Sequence, residues 1–325
     1  MSTISSASWR SLALLLLVGA CGSFKPPSQV ARIDLETSQG PFASLPSKRL
    51  VAVADDGVVR LHDGATGEAL AASERMPNEG LRSLAMAPNG TDVALLTYGG
   101  TLAILTWRGT ELATTAKTTL KQASSQAAPP VYRSDGALAV GVDVVVDVWL
   151  DGNPEHVPVV LEVGPGAREL AFRHTDGMLA IAFEDRVETW DVASRRHRDL
   201  FLEPMRDHVA FSPSGALAAG GSPVVVRDAE GTRRGSKASG CDQIVWDPAG
   251  DQLACRAGET TRLCSLERCD DVELVPGQKP ITFIAPAIDG LFLFSGDGRV
   301  MHRASSGRST MIPIDGVADL PRGGR

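Results

Sequence analysis

One motif recurs along this chain and limits what it can fold into. Its cleanest copy runs from Ala167 to Ala193. Leu170 and Phe172 alternate with polar neighbours, as in a strand with one buried face. Thr175-Asp176-Gly177 then marks a turn. Met178 to Phe183 is an apolar run of buried-strand length. Glu184-Asp185 breaks it, and Val187 to Trp190 forms a third strand. Three strands and two tight turns within 27 residues make one meander. Such a unit cannot cover both of its faces alone, so its copies must stack.

Aligned on the turn between first and second strands, the copies centre on Lys48, Gly90, Gly136, Gly177, Gly215, Gly250 and Gly290, at spacings of 42, 46, 41, 38, 35 and 40 residues. An apolar run follows each turn: Leu50 to Ala54, Val93 to Leu96, Leu138 to Val140, Leu179 to Phe183, Leu217 to Ala219, Leu253 to Cys255 and Leu291 to Phe294. Third strands follow at Val58 to His62, Leu102 to Trp107, Val144 to Trp149, Val187 to Trp190, Val224 to Arg227, Arg262 to Leu266 and Arg299 to Arg303. A fainter fourth strand is read at Arg195 to Leu200 and Val272 to Val275. The 33 glycines and 20 prolines, spread along the chain, supply the many turns this requires. A period near 40 with four short strands per copy predicts an all-β, seven-bladed β-propeller of four-stranded antiparallel blades. Either Val30 to Leu35 or Thr310 to Ile314 would complete the outer edge of the seventh blade. The irregular stretch Thr114 to Pro130 reads as a loop between the second and third blades.

The copies resemble divergent WD repeats across residues 40–315. Trp190-Asp191 is the one full Trp-Asp pair, with His62-Asp63 and Arg227-Asp228 as near versions. Asp56, Asp143, Asp185 and Asp297 fall at or near the turn between second and third strands, where that family places a structural Asp. The Gly-His pair that opens many WD repeats is absent, so the family's His–Asp network is not carried over. Asp63-Gly64-Ala65-Thr66-Gly67 resembles the repeat of quinoprotein propellers. Ala71 stands where their Trp falls, so no quinone, and no other cofactor, is expected.

Residues 1–20 read as a signal segment. Trp9-Arg10 precedes the apolar run Ser11 to Ala20, which is too short for the roughly 20 residues of a membrane span. Val18-Gly19-Ala20-Cys21 resembles the bacterial lipoprotein box, which implies cleavage before Cys21 and acylation of Cys21. At about 0.8 kcal/mol per buried CH₂, two or three acyl chains anchor firmly. Gly22 after the Cys favours the outer membrane over the inner. The expected layout is therefore signal peptide 1–20, acylated tether 21–39, propeller 40–315 and tail 316–325, located in the bacterial cell envelope as a monomer.

Four more cysteines, Cys241, Cys255, Cys264 and Cys269, fall within 29 residues. Outside the cytoplasm such clustering signals disulfides. Three pairings exist, and strand geometry favours Cys241–Cys255 and Cys264–Cys269. The cysteines lack the paired C-x₂-C spacing of zinc sites. Asp143, Asp147 and Asp151 recur every four residues. The β-branched residues between them make the segment a strand, so no metal site is expected. Arg195-Arg196-His197-Arg198 is the one concentrated basic patch and could meet an anionic partner; like Arg233-Arg234, it also suits an outer edge strand kept charged against aggregation.

A net charge of −7 leaves no electrostatic footprint for nucleic acid. No linear catalytic motif occurs. The reading is a membrane-anchored, noncatalytic propeller that presents a docking surface to an envelope protein. The alternative is a propeller enzyme, of hydrolase or lactonase type, with its site in the central channel. A small-ligand sensor is a third reading.

Overall fold

The alternation at Leu170 and Phe172 becomes the strand Glu169–Phe172, with those two side chains buried and Glu169 and Ala171 half-buried. Met178–Ala182 follows and is buried at four of its five positions, as a strand covered on both faces must be. Arg186–Asp191 and then Arg196–Leu202 complete the sheet by antiparallel pairing.

The computed structural model describes residues 42–55, 57–76, 80–120, 127–202, 207–265, 267–272, 281–287, 289–295 and 300–312. Among them, 28 strands form seven antiparallel meanders of four, at residues 42–73, 81–119, 131–162, 169–202, 209–234, 243–271 and 281–312. The first strand of each meander lies against the first strand of the next, and that of the seventh, Ile281–Ala287, lies against that of the first, Phe42–Leu45. The result is a closed seven-bladed β-propeller of four-stranded antiparallel blades. The first and second blades are also joined at the rim, where Ala69–Ser73 and Glu111–Thr119 pair in parallel at Ala72↔Glu111 and Ser73↔Leu112.

Among the described residues, no blade is shared between the chain ends. Ser309–Ile312 fills the outer edge of the seventh blade as a hairpin with Val300–Ala304. The other candidate, Val30 to Leu35, lies outside the described residues. The joint is held by side chains: Phe42, Val51 and Val53 pack with Phe292, Phe294 and Ile312 in one buried cluster. The Phe42 and Phe294 rings lie 4.6 Å apart. Ser44 Oγ donates to Pro286 O at 2.8 Å.

Three details differ from the sequence reading. Thr114 to Thr119 is not loop but the end of the long outer strand Glu111–Thr119; cross-strand pairing with Thr101–Arg108 overrides its small, polar composition. Residues 121–126 lie outside the described residues, and Ala127 and Ala128 are buried. In the sixth blade the third strand is Thr260–Cys264 and the fourth is Cys269–Asp271, starting before Val272 because Cys264 and Cys269 sit directly opposite each other. In the first blade the left-handed turn residue is Arg49, φ 54°, rather than Lys48, which ends a short 3₁₀ turn.

Candidate functional site

The third blade is set apart by the apolar side chains it exposes. Its fourth strand, Val159–Glu162, pairs only with Val145–Trp149, so its far edge is open among the described residues. Three other outer strands, Arg196–Leu202, Arg233–Arg234 and Cys269–Asp271, are rich in charge, whereas Ala69–Ser73 and Ser309–Ile312 carry none. Charge on an edge strand discourages sheet-to-sheet pairing. Val159–Glu162 presents both Val160 and its one charged residue, Glu162, to solvent.

Of the six large apolar side chains exposed among the described residues, four belong to this blade: Val144, Leu150, Val157 and Val160. Val157 is 94% exposed and Leu150 51%. Tyr98, in a turn of the neighbouring second blade, is a fifth.

The link that carries Leu150 and Val157 is braced throughout. Asp151 Oδ1 accepts from Asn153 N at 3.1 Å, and Asn153 Oδ1 from Glu155 N at 3.0 Å. His156 Nδ1 pairs with Asp151 Oδ2, and the Trp149 indole N–H donates to His156 O at 3.0 Å. The His156 hydrogen bond is the main reason the Asp151 carboxyl sits below its ordinary pKa. Glu155 Oε1 reaches the second blade and accepts from Lys117 N at 3.2 Å. Gly152, at φ 74°, lies against Gly136 O, where a Cβ would stand 2.5 Å away. The two apolar tips are thus held outward by a network rather than left on a loose loop. Under the edge, Asp147 lies opposite Val160 and is half-buried, and that burial raises its carboxyl pKa. Asp147 and Asp151 therefore do not share one face as metal ligands. Among the described residues no three His, Cys, Asp or Glu side chains converge as a metal site.

The inner strands are bound to one another by their polar side chains. Glu169 Oε2 accepts from His208 Nδ1 at 2.9 Å and from Val209 N at 3.0 Å, joining the fourth blade to the fifth. Burial opposes protonation of His208. The hydrogen bond to Glu169 and the charges of Glu169, Asp207 and Asp242 outweigh it, and the pKa is raised. Gln243 bridges both ways to Ile284, Nε2 to its carbonyl at 2.9 Å and Oε1 from its N–H at 2.8 Å. The remaining half-exposed positions of these strands are largely small or apolar: Ala85, Val131, Ala171, Ala210 and Val245.

The other residues singled out in the sequence fall as follows. Disulfides join Cys241 to Cys255 and Cys264 to Cys269. Cys21, Asp56 and Asp297 lie outside the described residues. Asp143, φ 51°, and exposed Asp185 stand in second-to-third-strand turns, Asp185 paired with Arg186 at 3.0 Å. Trp190 donates its indole N–H to Glu188 Oε2 at 2.9 Å, and Arg186 Nε donates to Glu188 Oε1 at 2.7 Å. Glu188 is a buried carboxylate. Asp191 accepts from Ser194 N at 3.1 Å and pairs with Arg198 at 2.8 Å; together these hold its carboxyl down to about 2. Arg195, Arg196, His197 and Arg198 are all exposed. Arg198 is matched by Asp191, the His197 ring lies 5.5 Å from Trp190, and Asp176, Asp191 and Asp199 border one surface hollow with Arg198. Acids therefore interleave with the basic patch, which dilutes it.

Comparison with known proteins supports the fold. A chain of the crystal structure of the mitotic checkpoint complex superposes with a TM-score of 0.63, covering 87% of this chain and 89% of that one at 16% identity. In all, 1353 chains of solved structures match, a breadth that speaks for architecture and not for one activity. No protein-family model matches the sequence, and no curated protein matches it.

Proposed function

We propose that this protein is a noncatalytic propeller scaffold of the bacterial cell envelope, lipid-anchored through Cys21, which docks a protein partner on the outer edge of its third blade. The observation that carries the docking surface is the concentration of exposed apolar side chains on that blade, beside an open edge strand whose one charge is the terminal Glu162. The partner it fits is an extended segment that adds a strand to Val159–Glu162 and sets apolar side chains against Val160. The anchor rests on Val18-Gly19-Ala20-Cys21 at the end of the apolar signal segment, and Gly22 favours the outer membrane. The small, apolar inner-strand positions and the structural use of Glu169, His208 and Gln243 favour a scaffold over a channel enzyme.

The test is crosslinking and affinity capture of the full-length protein from intact envelopes. Wild type should recover one partner in equimolar amount. Val160→Lys, an edge substitution that folded sheets tolerate, should reduce recovery at least tenfold with an unchanged melting temperature. Cys21→Ala should shift the protein from the membrane to the soluble fraction. Full recovery by the folded Val160→Lys variant would contradict the docking site, and a Cys21→Ala protein still in the membrane pellet would contradict the anchor.

A further inference from the structure

Strand register decides which side chains of the third blade share a face. Val160 lies opposite Asp147, and Glu162 opposite Val145. One strand further in, Val140 lies opposite Asp147 and Val142 opposite Val145. Val140, Val142 and Val145 pack with Leu96, Leu102 and Ile104 of the second blade. This face therefore turns toward the second blade. The alternate face, with Leu161, packs with Leu170 of the fourth. Toward the rim the contact between second and third blades opens: Val140 and Val142 are buried, Asp147 is half-buried, and Val160 and Glu162 are exposed.

Two carboxylates stand in that opening, and among the described residues no cation meets either. Asp147 makes no hydrogen bond or ion pair there, and the burial that raises its pKa is not offset by a nearby positive charge. Glu162 has no ion-pair partner among the described residues. The cations of the surrounding elements are committed elsewhere. Arg186 reaches Val163 O from the fourth blade and pairs with Asp185 and Glu188. His156 pairs with Asp151. Lys117 alternates along its strand with Ala116, which packs on the third blade. It therefore turns the other way, where it lines a hollow with Glu74 and Arg75 of the first blade.

A segment that adds a strand to Val159–Glu162 covers Asp147 further. A carboxylate that loses water without gaining a counter-charge opposes binding. A segment that brings its own cation removes that cost. Strands lie about 4.8 Å apart, so the added backbone stands about 10 Å from that of Asp147, within the joint reach of a lysine or arginine and an aspartate. The methylene stem lies over Val160, and the charged head reaches Asp147 and Glu162. We propose that the segment docking on this edge is basic: an extended stretch with Lys or Arg between apolar residues on the face turned toward the second blade. The same carboxylates repel an acidic segment. This inference rests on the docking reading above and adds the partner's charge to it.

The probes are three blocked peptides, Thr-Val-Thr-X-Thr-Val-Thr, with X as Lys, Gln or Glu, each carrying an N-terminal fluorophore. They are titrated with the full-length protein in detergent and followed by anisotropy. The Lys peptide should bind about fivefold more tightly than the Gln peptide, and the Glu peptide more weakly than either. Asp147→Asn with Glu162→Gln should abolish these differences and leave the Gln peptide bound as in wild type. Glu230→Gln with Glu259→Gln removes the same charge from exposed positions on the fifth and sixth blades and should leave the differences intact. Val160→Lys should weaken all three peptides. Equal binding of the Lys and Gln peptides to wild type, or equal loss of the preference in both double variants, would overturn the charge inference and leave the docking edge standing. Absence of saturation by every peptide, or unchanged binding by Val160→Lys, would overturn the docking edge and this inference with it.

Discussion

Two residues show how one symbol in the repeat covers different physics. Gly177, Gly215 and Gly250 take positive φ at the turn between first and second strands, as the pattern implies. Gly290 does not. It opens the strand Gly290–Ser295, and a Cβ there would stand 2.0 Å from Arg303 O. Its constraint is close approach, which no local pattern reveals. His208 likewise reads as one of six unplaced histidines until Glu169 is found beside it. Because its folded pKa is raised above the unfolded value of about 6.5, the pair stabilises fully below that pH and fades as pH rises through the folded value. The melting-temperature gap between wild type and His208→Gln should therefore be largest in mild acid and close as the solution turns alkaline. A gap that widens with pH would contradict this account.

At the scale of the element, each blade is a local meander whose hairpins carry their own instructions. The sixth blade is the clearest case. Cys241 and Cys255 lie 14 residues apart and Cys264 and Cys269 five apart, so both bridges stay within one sheet. Cross-linking a loop of about 15 residues removes unfolded-state entropy worth about 3 kcal/mol. Cys241→Ala with Cys255→Ala should lower unfolding stability by about that amount in urea under oxidising conditions. Reduction of the wild type should bring it to or below the same midpoint. If the oxidised wild type and the double variant melt together, the bridge contributes nothing. The third blade's outer strand, Val159–Glu162, was not among the strands read from the sequence. Its exposure was not legible either, since alternation tells which side chains share a face and not whether a neighbouring blade covers it.

For the whole molecule, the decisive event is closure of the ring. The first and seventh blades meet through Phe42, Phe283 and Phe294, whose rings lie 4.6–5.8 Å apart, with no strand exchanged among the described residues. Phe294→Ala removes a fully buried ring from that joint and should destabilise the propeller by about 3–5 kcal/mol, measured by chemical denaturation; a loss under about 1 kcal/mol would mean that the joint is not held by this cluster. The sequence by itself determined the order of the inner strands, the seven copies and most turn positions, and favoured the local cysteine pairs, because period-two alternation, turn residues and short spacings are properties of neighbours along the chain. Only the tertiary structure decided how the ends meet, that Glu188 is buried under Arg186 and Trp190, and that Asp147 and Glu162 share the face turned toward the second blade. Those facts depend on which blade lies against which. In a radial stack every sheet is covered by its neighbours, so exposure and the site chemistry that follows from it are set by contacts between residues far apart in sequence.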